Sequence, residues 1–396
     1  MTNSPTEAAE FIENGGIVAF PTETVYGLGA NVFDAAAVAK IFAAKGRPAD
    51  NPLIAHVANL KQIDDLASQI NANARKFIDL LFPGPLTLVL PKSDRVPLIA
   101  TAGLDTIGVR MPKHDLARQF LAACRVPLVA PSANLSGRPS PTTWQAVLED
   151  LDGRIDCILQ GEATEIGLES TVVDCSSDIP VLLRQGAVSL EDLRSIVPET
   201  AAFALSDGEP VRSPGLKHKH YSPTAKVILV TPQVRSRNDS DRGFEDNDQG
   251  FVPQVRTGND SDRGFEDSDQ GFLPTIEQSA EPQPRSLSFP VPTRDAAGQQ
   301  PRSLSFPVLT RDAAGQKPRS LSFPVRTGDA AFIGVSAVEA EFALILICSS
   351  VEEYAHQVFE FFRECDRRQI VTIYCETVPE SGLGAALMDR LRRAAE

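Results

Sequence analysis

A run of chemically capable side chains stands between residues 15 and 56. An apolar strand pattern (Ile17–Phe20) leads directly into Pro21-Thr22-Glu23-Thr24-Val25-Tyr26-Gly27-Leu28-Gly29. A helical stretch follows and ends in Lys45-Gly46-Arg47-Pro48, a cationic, helix-breaking turn before Asn51-Pro52-Leu53 and His56. Hydroxyls, a carboxylate and a phenol at a strand end, beside glycines that let backbone approach a ligand, suit a small polar molecule. Lys and Arg only donate and carry fixed positive charge, which suits phosphate oxygens. The combination reads as a site for a small polar molecule next to a polyphosphate. It is not a P-loop, since no GxxxxGK[ST] occurs, and Gly382-Leu383-Gly384 lacks the rest of a dinucleotide fingerprint.

The elements that must hold these residues are short. Strands are expected at Ile17–Phe20, Leu53–His56, Leu86–Leu90, Ile107–Arg110, Leu128–Ala130, Cys157–Leu159, Thr171–Asp174 and Val181–Arg184. Helical periodicity covers Ala35–Ala44, Ala72–Phe82, Asp115–Ala123, Thr143–Leu151 and Leu190–Ile196, the last opened by Ser189 as N-cap. This is one α/β unit over residues 1–200. Residues 201–224 read as a linker. A second, smaller α/β unit spans 225–396, with strands near Ala225–Val230, Ile333–Ser336, Ala343–Cys348 and Ile370–Tyr374 and helices at Val351–Arg368 and Gly384–Ala395. Strand–helix–strand order there suggests a Rossmann-like sheet. It is interrupted at about 232–329 by near-identical repeats: NDSDRGFED begins at Asn238 and Asn259, and RSLSFPV at Arg285, Arg302 and Arg319. Each copy carries too few large apolar residues to offset the entropy of ordering it, so a duplicated disordered loop is expected.

Composition narrows the function classes. The net charge is −14 over 396 residues, with no segment in basic excess, which argues against stable direct nucleic-acid binding. No apolar run is long enough to span a bilayer and no secretory signal precedes the first strand. The six cysteines lack CxxC or metal spacing and read as reduced, mostly buried thiols of a cytoplasmic protein, with no dedicated metal site.

The ordered set of motifs closely resembles the YrdC-like domain of threonylcarbamoyl-AMP synthases. Beyond PTETVYGLGA, KGRP and NPL, the resemblance rests on Pro83-Gly84-Pro85-Leu86-Thr87, Ala102-Gly103-Leu104-Asp105-Thr106, Val109-Arg110-Met111-Pro112, Ala130-Pro131-Ser132-Ala133-Asn134, Glu169-Ser170-Thr171-Val172 and Leu183-Arg184-Gln185-Gly186. Ser213-Pro214-Gly215-Leu216-Lys217-His218-Lys219-His220-Tyr221 and the C-terminal third resemble the long, two-domain form. It covers the chain apart from about 232–329. The implied fold is a YrdC-like mixed twisted sheet with helices, plus a smaller Rossmann-like α/β domain joined by an ordered linker.

The resemblance implies a nucleotidyltransferase that makes threonylcarbamoyl-AMP and pyrophosphate from L-threonine, bicarbonate or CO2, and ATP. The product would pass to a separate threonylcarbamoyl transferase that modifies the adenosine at position 37 of tRNA. By position in the motifs, Thr24, His56, Arg110, Ala130 and Ser170 would surround threonine, and Arg47, Asn51, Thr106, Ser132, Ser140, Arg184 and Tyr221 would hold ATP. Lys45, Arg47 and Arg110 would supply the catalytic charge. Mg2+ would arrive with the phosphates; Glu23 could help hold it through water or could pair with Arg47. Tyr221 would close over bound nucleotide as part of a lid, contributing only with ligand present. A non-catalytic RNA-binding or translation-associated module is the competing reading. A hydrogenase-maturation carbamoyltransferase contains a similar domain, but this chain lacks that protein's cysteine-rich zinc fingers.

Overall fold

The computed structural model describes residues 1–203, 221–232, 329–338 and 340–396. The repeats and the Ser213–His220 arm therefore lie outside the described residues.

A ten-stranded mixed sheet forms the larger part. Its strands are β1 (Val18–Phe20), β2 (Gly27–Asn31), β3 (Ile54–His56), β4 (Leu86–Pro91), β5 (Thr106–Arg110), β6 (Leu128–Val129), β7 (Cys157–Ile158), β8 (Thr171–Asp174), β9 (Val181–Arg184) and β10 (Ala201–Ala202). They stand in the order β10-β9-β8-β4-β5-β3-β6-β2-β1-β7. Side chains that alternate along a strand feed both faces of the sheet. Ala19 and Val129 enter a core with Leu28, Leu88, Val109 and Phe77, while Val18, Phe20 and Leu128 enter a second core with Phe120 and Cys157.

The helices are α1 (Pro5–Glu13), α2 (Ala35–Lys45), α3 (Ile63–Leu66), α4 (Ala72–Leu81), α5 (Leu98–Thr101), α6 (Asp115–Cys124), α7 (Trp144–Leu151) and α8 (Leu190–Ile196). Local chemistry fixes their ends. Asp34 accepts from the amides of Ala36 and Ala37 at the start of α2, and Gly46 closes that helix in the left-handed region at φ 61°. Ser189 and Asp192 form a reciprocal capping box on α8.

A second sheet is wholly parallel: β11 (Lys226–Val230), β12 (Ala330–Gly334), β13 (Leu344–Ile347) and β14 (Thr372–Glu376), in the order β11-β14-β12-β13. Helices α9 (Val351–Arg367) and α10 (Leu383–Ala395) accompany it. A mixed α/β sheet with a smaller parallel α/β sheet is the fold class that the resemblance implies.

The observed elements differ from expectation in specific places. The strand expected at Ile333–Ser336 lies at Ala330–Gly334, because the amides of Val335 and Ser336 turn to the Glu376 carboxylate, both at 2.7 Å. The strand expected from Ile370 begins at Thr372, since the Ile370 amide closes the end of α9 onto Cys365 O. Ala201–Ala202 are the edge strand of the large sheet rather than linker. The six cysteines are all free and buried, in line with reduced thiols.

The two sheets meet through buried ion pairs. Arg363 of α9 donates both terminal nitrogens to Asp150 of α7, at 3.1 and 3.0 Å, and also reaches Pro139 O at 2.6 Å. Arg390 of α10 binds Glu169 at 2.8 Å. At Gly167 (φ 80°) a Cβ would lie 2.5 Å from the Cα of His356, so the 167 turn rests directly on the backbone of α9.

Candidate active site

Strand register builds the centre of the site. Parallel β3 and β5 pair His56 with Arg110, side by side at the same end of the sheet. The Pro21–Tyr26 turn, pinched between Phe20 and Gly27 of antiparallel β1 and β2, sets Thr24 above them. Arg110 Nη1 donates to Thr24 Oγ1 at 2.8 Å, and Thr24 shares a 2.8 Å hydroxyl contact with Thr22. Arg110 Nη2 lies 2.7 Å from Glu23 Oε1, both side chains buried. Glu23 thus pairs with Arg110 rather than Arg47. Beyond this ion pair, Arg110 Nε and Glu23 Oε2 have no hydrogen-bond partner, leaving buried polar capacity at this corner.

His56 is buried, its Nδ1 3.1 Å from Ile54 O and its ring edge-on to Phe20. Burial, reinforced by the Arg110 charge, pushes its pKa down to about 3, so the imidazole is neutral near pH 7. With Nδ1–H donating to Ile54 O, Nε2 is left as an acceptor. The amide of Ala130 reaches the same Ile54 carbonyl at 2.8 Å.

The same cleft continues into a cationic half. It is lined by Thr24, Arg47, His56, Arg110, Ala130, Ser132, Ser140, Ser170, Arg184 and Tyr221 of the expected set, together with Thr22, Asn134, Arg138 and Glu169. With its open mouth it encloses about 680 Å3 of non-atom space. Arg47 is held by the carbonyls of Asn51 and Pro52 at 3.3 and 3.2 Å; burial lowers its pKa to about 10, leaving it charged. Arg184 is aimed by a fork onto Ser170 O at 3.0 and 2.9 Å, and Ser170 Oγ meets Thr87 at 2.8 Å. Glu169 accepts from Ser140 Oγ at 2.5 Å and from Arg390. Burial alone would raise the Glu169 carboxyl, but Arg390 and Arg184 outweigh it and hold it below the usual range.

Three expected residues stand outside this lining. The ammonium of Lys45 turns inward to Ser132 O (2.6 Å) and Asn134 O (2.5 Å), tying the end of α2 to the 132–136 loop; burial, followed by the Arg47 charge, lowers its pKa. Its donors are spent on carbonyls, so it supports the cleft wall and does not present free charge to it. Asn51 is buried and offers Arg47 its carbonyl. Thr106 lines a smaller, mainly apolar pocket that shares Pro52, Leu53 and Ile54 with the main cleft.

Tyr221 also departs from expectation. Its ring is buried, stacked on Phe359 of α9 at 5.5 Å between centroids, and the Arg390 guanidinium lies over the ring at 5.3 Å. It packs against α9 as well as lining the cleft, so it contributes contacts in the free protein too. Arg138 was legible but unread: Gly137-Arg138-Pro139 repeats the Gly46-Arg47-Pro48 pattern. Its guanidinium pairs with Asp150 at 2.6 Å. Glu169, directly before Ser170 in a matched motif, carried no signal of the partner on α10.

Fold and cleft define an α/β protein with an arginine-lined anion site opening beside a buried His–Arg–Thr corner. The Sua5/YciO/YrdC family model, described as telomere recombination, matches residues 10–186, and the model for the threonylcarbamoyl-AMP synthase C-terminal domain matches residues 188–396. This chain belongs to the threonylcarbamoyl-AMP synthase family. It is 51% identical over 226 residues to the threonylcarbamoyl-AMP synthase of Pyrococcus abyssi, covering 56% of this chain and 66% of that protein. The Bacillus subtilis threonylcarbamoyl-AMP synthase is 48% identical over 233 residues, covering 58% and 67%. The aligned sequence therefore spans about two thirds of these relatives' lengths. The crystal structure of Pyrococcus abyssi Sua5 complexed with L-threonine superposes with a TM-score of 0.72 at 34% identity, covering 99% of this chain and 94% of that one.

Proposed function

We propose that this chain is a threonylcarbamoyl-AMP synthase, consuming L-threonine, bicarbonate or CO2, and ATP. The observation that carries this is one cleft with two chemically distinct halves: a buried Thr24–His56–Arg110 corner whose hydroxyl, imidazole and guanidinium suit an amino acid, and an Arg47–Arg184 half suited to phosphates. Support comes from a relative 34% identical over nearly the whole chain that was crystallised with L-threonine.

In this reading Arg110 meets the threonine carboxylate through its unpartnered Nε–H, Thr24 and Ser170 fix the hydroxyl and amine, and Ala130 shapes the methyl side. His56 offers the Nε2 lone pair. Its depressed pKa makes it a poor proton store, so it orients the amine rather than keeping its proton. The neutral amine attacks CO2, forming the N–C bond as one C–O π bond opens to the carboxylate, and its proton leaves to solvent. A carbamate oxygen then attacks the α-phosphorus, and the bond to pyrophosphate breaks. Arg47 and Arg184 neutralise the phosphate charge, with Ser132, Ser140 and Tyr221 placing the nucleotide. No covalent enzyme intermediate is required. Mg2+ would arrive bound to the phosphates of ATP.

The product is a reactive mixed anhydride for a separate threonylcarbamoyl transferase acting on tRNA, in the cytoplasm. Among the described residues no helix is long and apolar enough to cross a membrane. The RNA-binding reading is disfavoured by the acidic balance. Omission of each substrate in turn, with pyrophosphate as the readout, tests the proposal.

A further inference from the structure

The C-terminal helix α10 sends one side chain against the back of residues that line the cleft. Arg390 is 1% exposed and lies more than two hundred residues from the motifs it touches. Its Nε donates to Glu169 Oε2 at 2.8 Å, and Glu169 Oε1 in turn accepts from Ser140 Oγ at 2.5 Å. Its Nη2 donates to Gln185 O at 2.9 Å, next to Arg184. That turn has no slack, because a Cβ on Gly186 would lie 2.2 Å from Thr171 N. Its guanidinium also covers the Tyr221 ring at 5.3 Å. A single buried guanidinium thus touches Tyr221 directly, reaches Ser140 through Glu169 and holds Arg184 through its chain neighbour Gln185. Of the residues expected around threonine only Ser170, the chain neighbour of Glu169, stands as near, while Thr24, His56 and Arg110 spend their bonds on one another, Thr22, Glu23 and Ile54 O.

We propose that Arg390 is a positioning residue for the nucleotide half of the cleft: it holds Ser140, Arg184 and Tyr221 in the geometry that receives ATP, without touching ATP itself. The inference rests on the synthase reading for the identity of the ligand. A guanidinium is needed because only its planar fork can bind a carboxylate and a carbonyl on two sides while lying over a ring. The second sheet then has a role beyond anchoring, since its last helix braces residues that line the nucleotide half of the cleft.

The experiment is calorimetric titration of the full chain with Mg-ATP and, separately, with L-threonine. Arg390→Met, which keeps the stem, should weaken ATP binding by about tenfold or more, on the scale of lost charge-assisted hydrogen bonds, and threonine binding by less than about threefold. Arg390→Lys should fall between wild type and Met, and guanidinium ion should partly restore ATP binding to Arg390→Ala. Arg367→Met, which breaks an exposed ion pair to Glu149 at the same interface, should leave both affinities unchanged. If Arg390→Met fails to fold, Arg390→Met combined with Glu169→Gln removes both buried charges and carries the test; it should fold and still bind ATP weakly. Wild-type ATP affinity in whichever of these variants folds, or equal losses for both ligands, would overturn the inference. A wild-type chain that binds both ligands but releases no pyrophosphate would instead defeat the synthase reading, leaving the ATP affinities to judge Arg390.

Discussion

Arg110 carries two loads that a sequence motif does not separate. It faces the cleft and also neutralises the buried Glu23 carboxylate at 2.7 Å. Removing one member of a buried pair leaves an uncompensated charge, at a cost of about 3–5 kcal/mol. Arg110→Ala should therefore lower the unfolding free energy by that order and also weaken threonine binding more than ATP binding. Adding Glu23→Gln should recover most of the stability and none of the threonine affinity, as denaturant melts and calorimetry on the pair of variants will show. Arg47→Ala should do the reverse to the ligands, weakening ATP binding by about 2–5 kcal/mol if the phosphate contact is desolvated.

His56 makes a pH prediction with a definite sign. Its folded pKa, about 3, lies below the ordinary value of 6.5, so the unfolded chain binds the extra proton first. The stability tied to the neutral ring is complete above about pH 6.5 and is lost as the pH falls toward 3. Between pH 7.5 and 5.0 wild type should lose about 2 kcal/mol more than His56→Gln, from 1.4 kcal/mol per pH unit below 6.5. Urea midpoints at the two pH values measure the difference; parallel losses in the two proteins would show that the ring is not the source.

At the scale of elements, Tyr221 and Gly167 bind α9 to the large sheet. Tyr221→Ala removes a buried ring stacked on Phe359 and should cost about 3 kcal/mol or more in the free protein. Gly167→Ala forces a Cβ into the backbone of α9 at a positive φ and should destabilise by about 2–4 kcal/mol. Melting temperatures without ligand check both, and an unchanged melt for Tyr221→Ala would return that residue to a purely ligand-dependent role.

What was readable from the sequence follows the physics of each element. Mainly apolar runs such as Leu86–Pro91 and Val181–Arg184 are legible to within a residue because strands buried on both faces read as near-continuous apolar stretches. β2 was missed because Gly27-Leu28-Gly29-Ala30-Asn31 has loop composition, and its glycines exist to let the Phe20 ring approach within about 3 Å of a Cβ position. α1 was missed although Ser4 as N-cap and Pro5 at its first position announce it. In the site, the family motifs identify the lining, but partner choice is tertiary. That Glu23 meets Arg110, that Lys45 is consumed by carbonyls, and that Arg390 reaches Glu169 all depend on strand order and helix docking, which no local pattern encodes.

For the whole molecule, the two buried carboxylates Asp150 and Glu169 join the sheets and the cleft. Each lies on the large sheet's side, is claimed by an arginine from the smaller one, and holds a residue of the cleft lining: Arg138 for Asp150, Ser140 for Glu169. Loss of the C-terminal helices should thus remove structure from the active site and not merely a neighbouring domain. The central claim remains the reaction itself. Its most direct test is pyrophosphate release by the full chain from Mg-ATP, with L-threonine and bicarbonate supplied together, each alone, and neither. The account predicts release only when both are present, with one threonylcarbamoyl-AMP formed per pyrophosphate. Release of equal size without threonine, or none with all three substrates present, would contradict it.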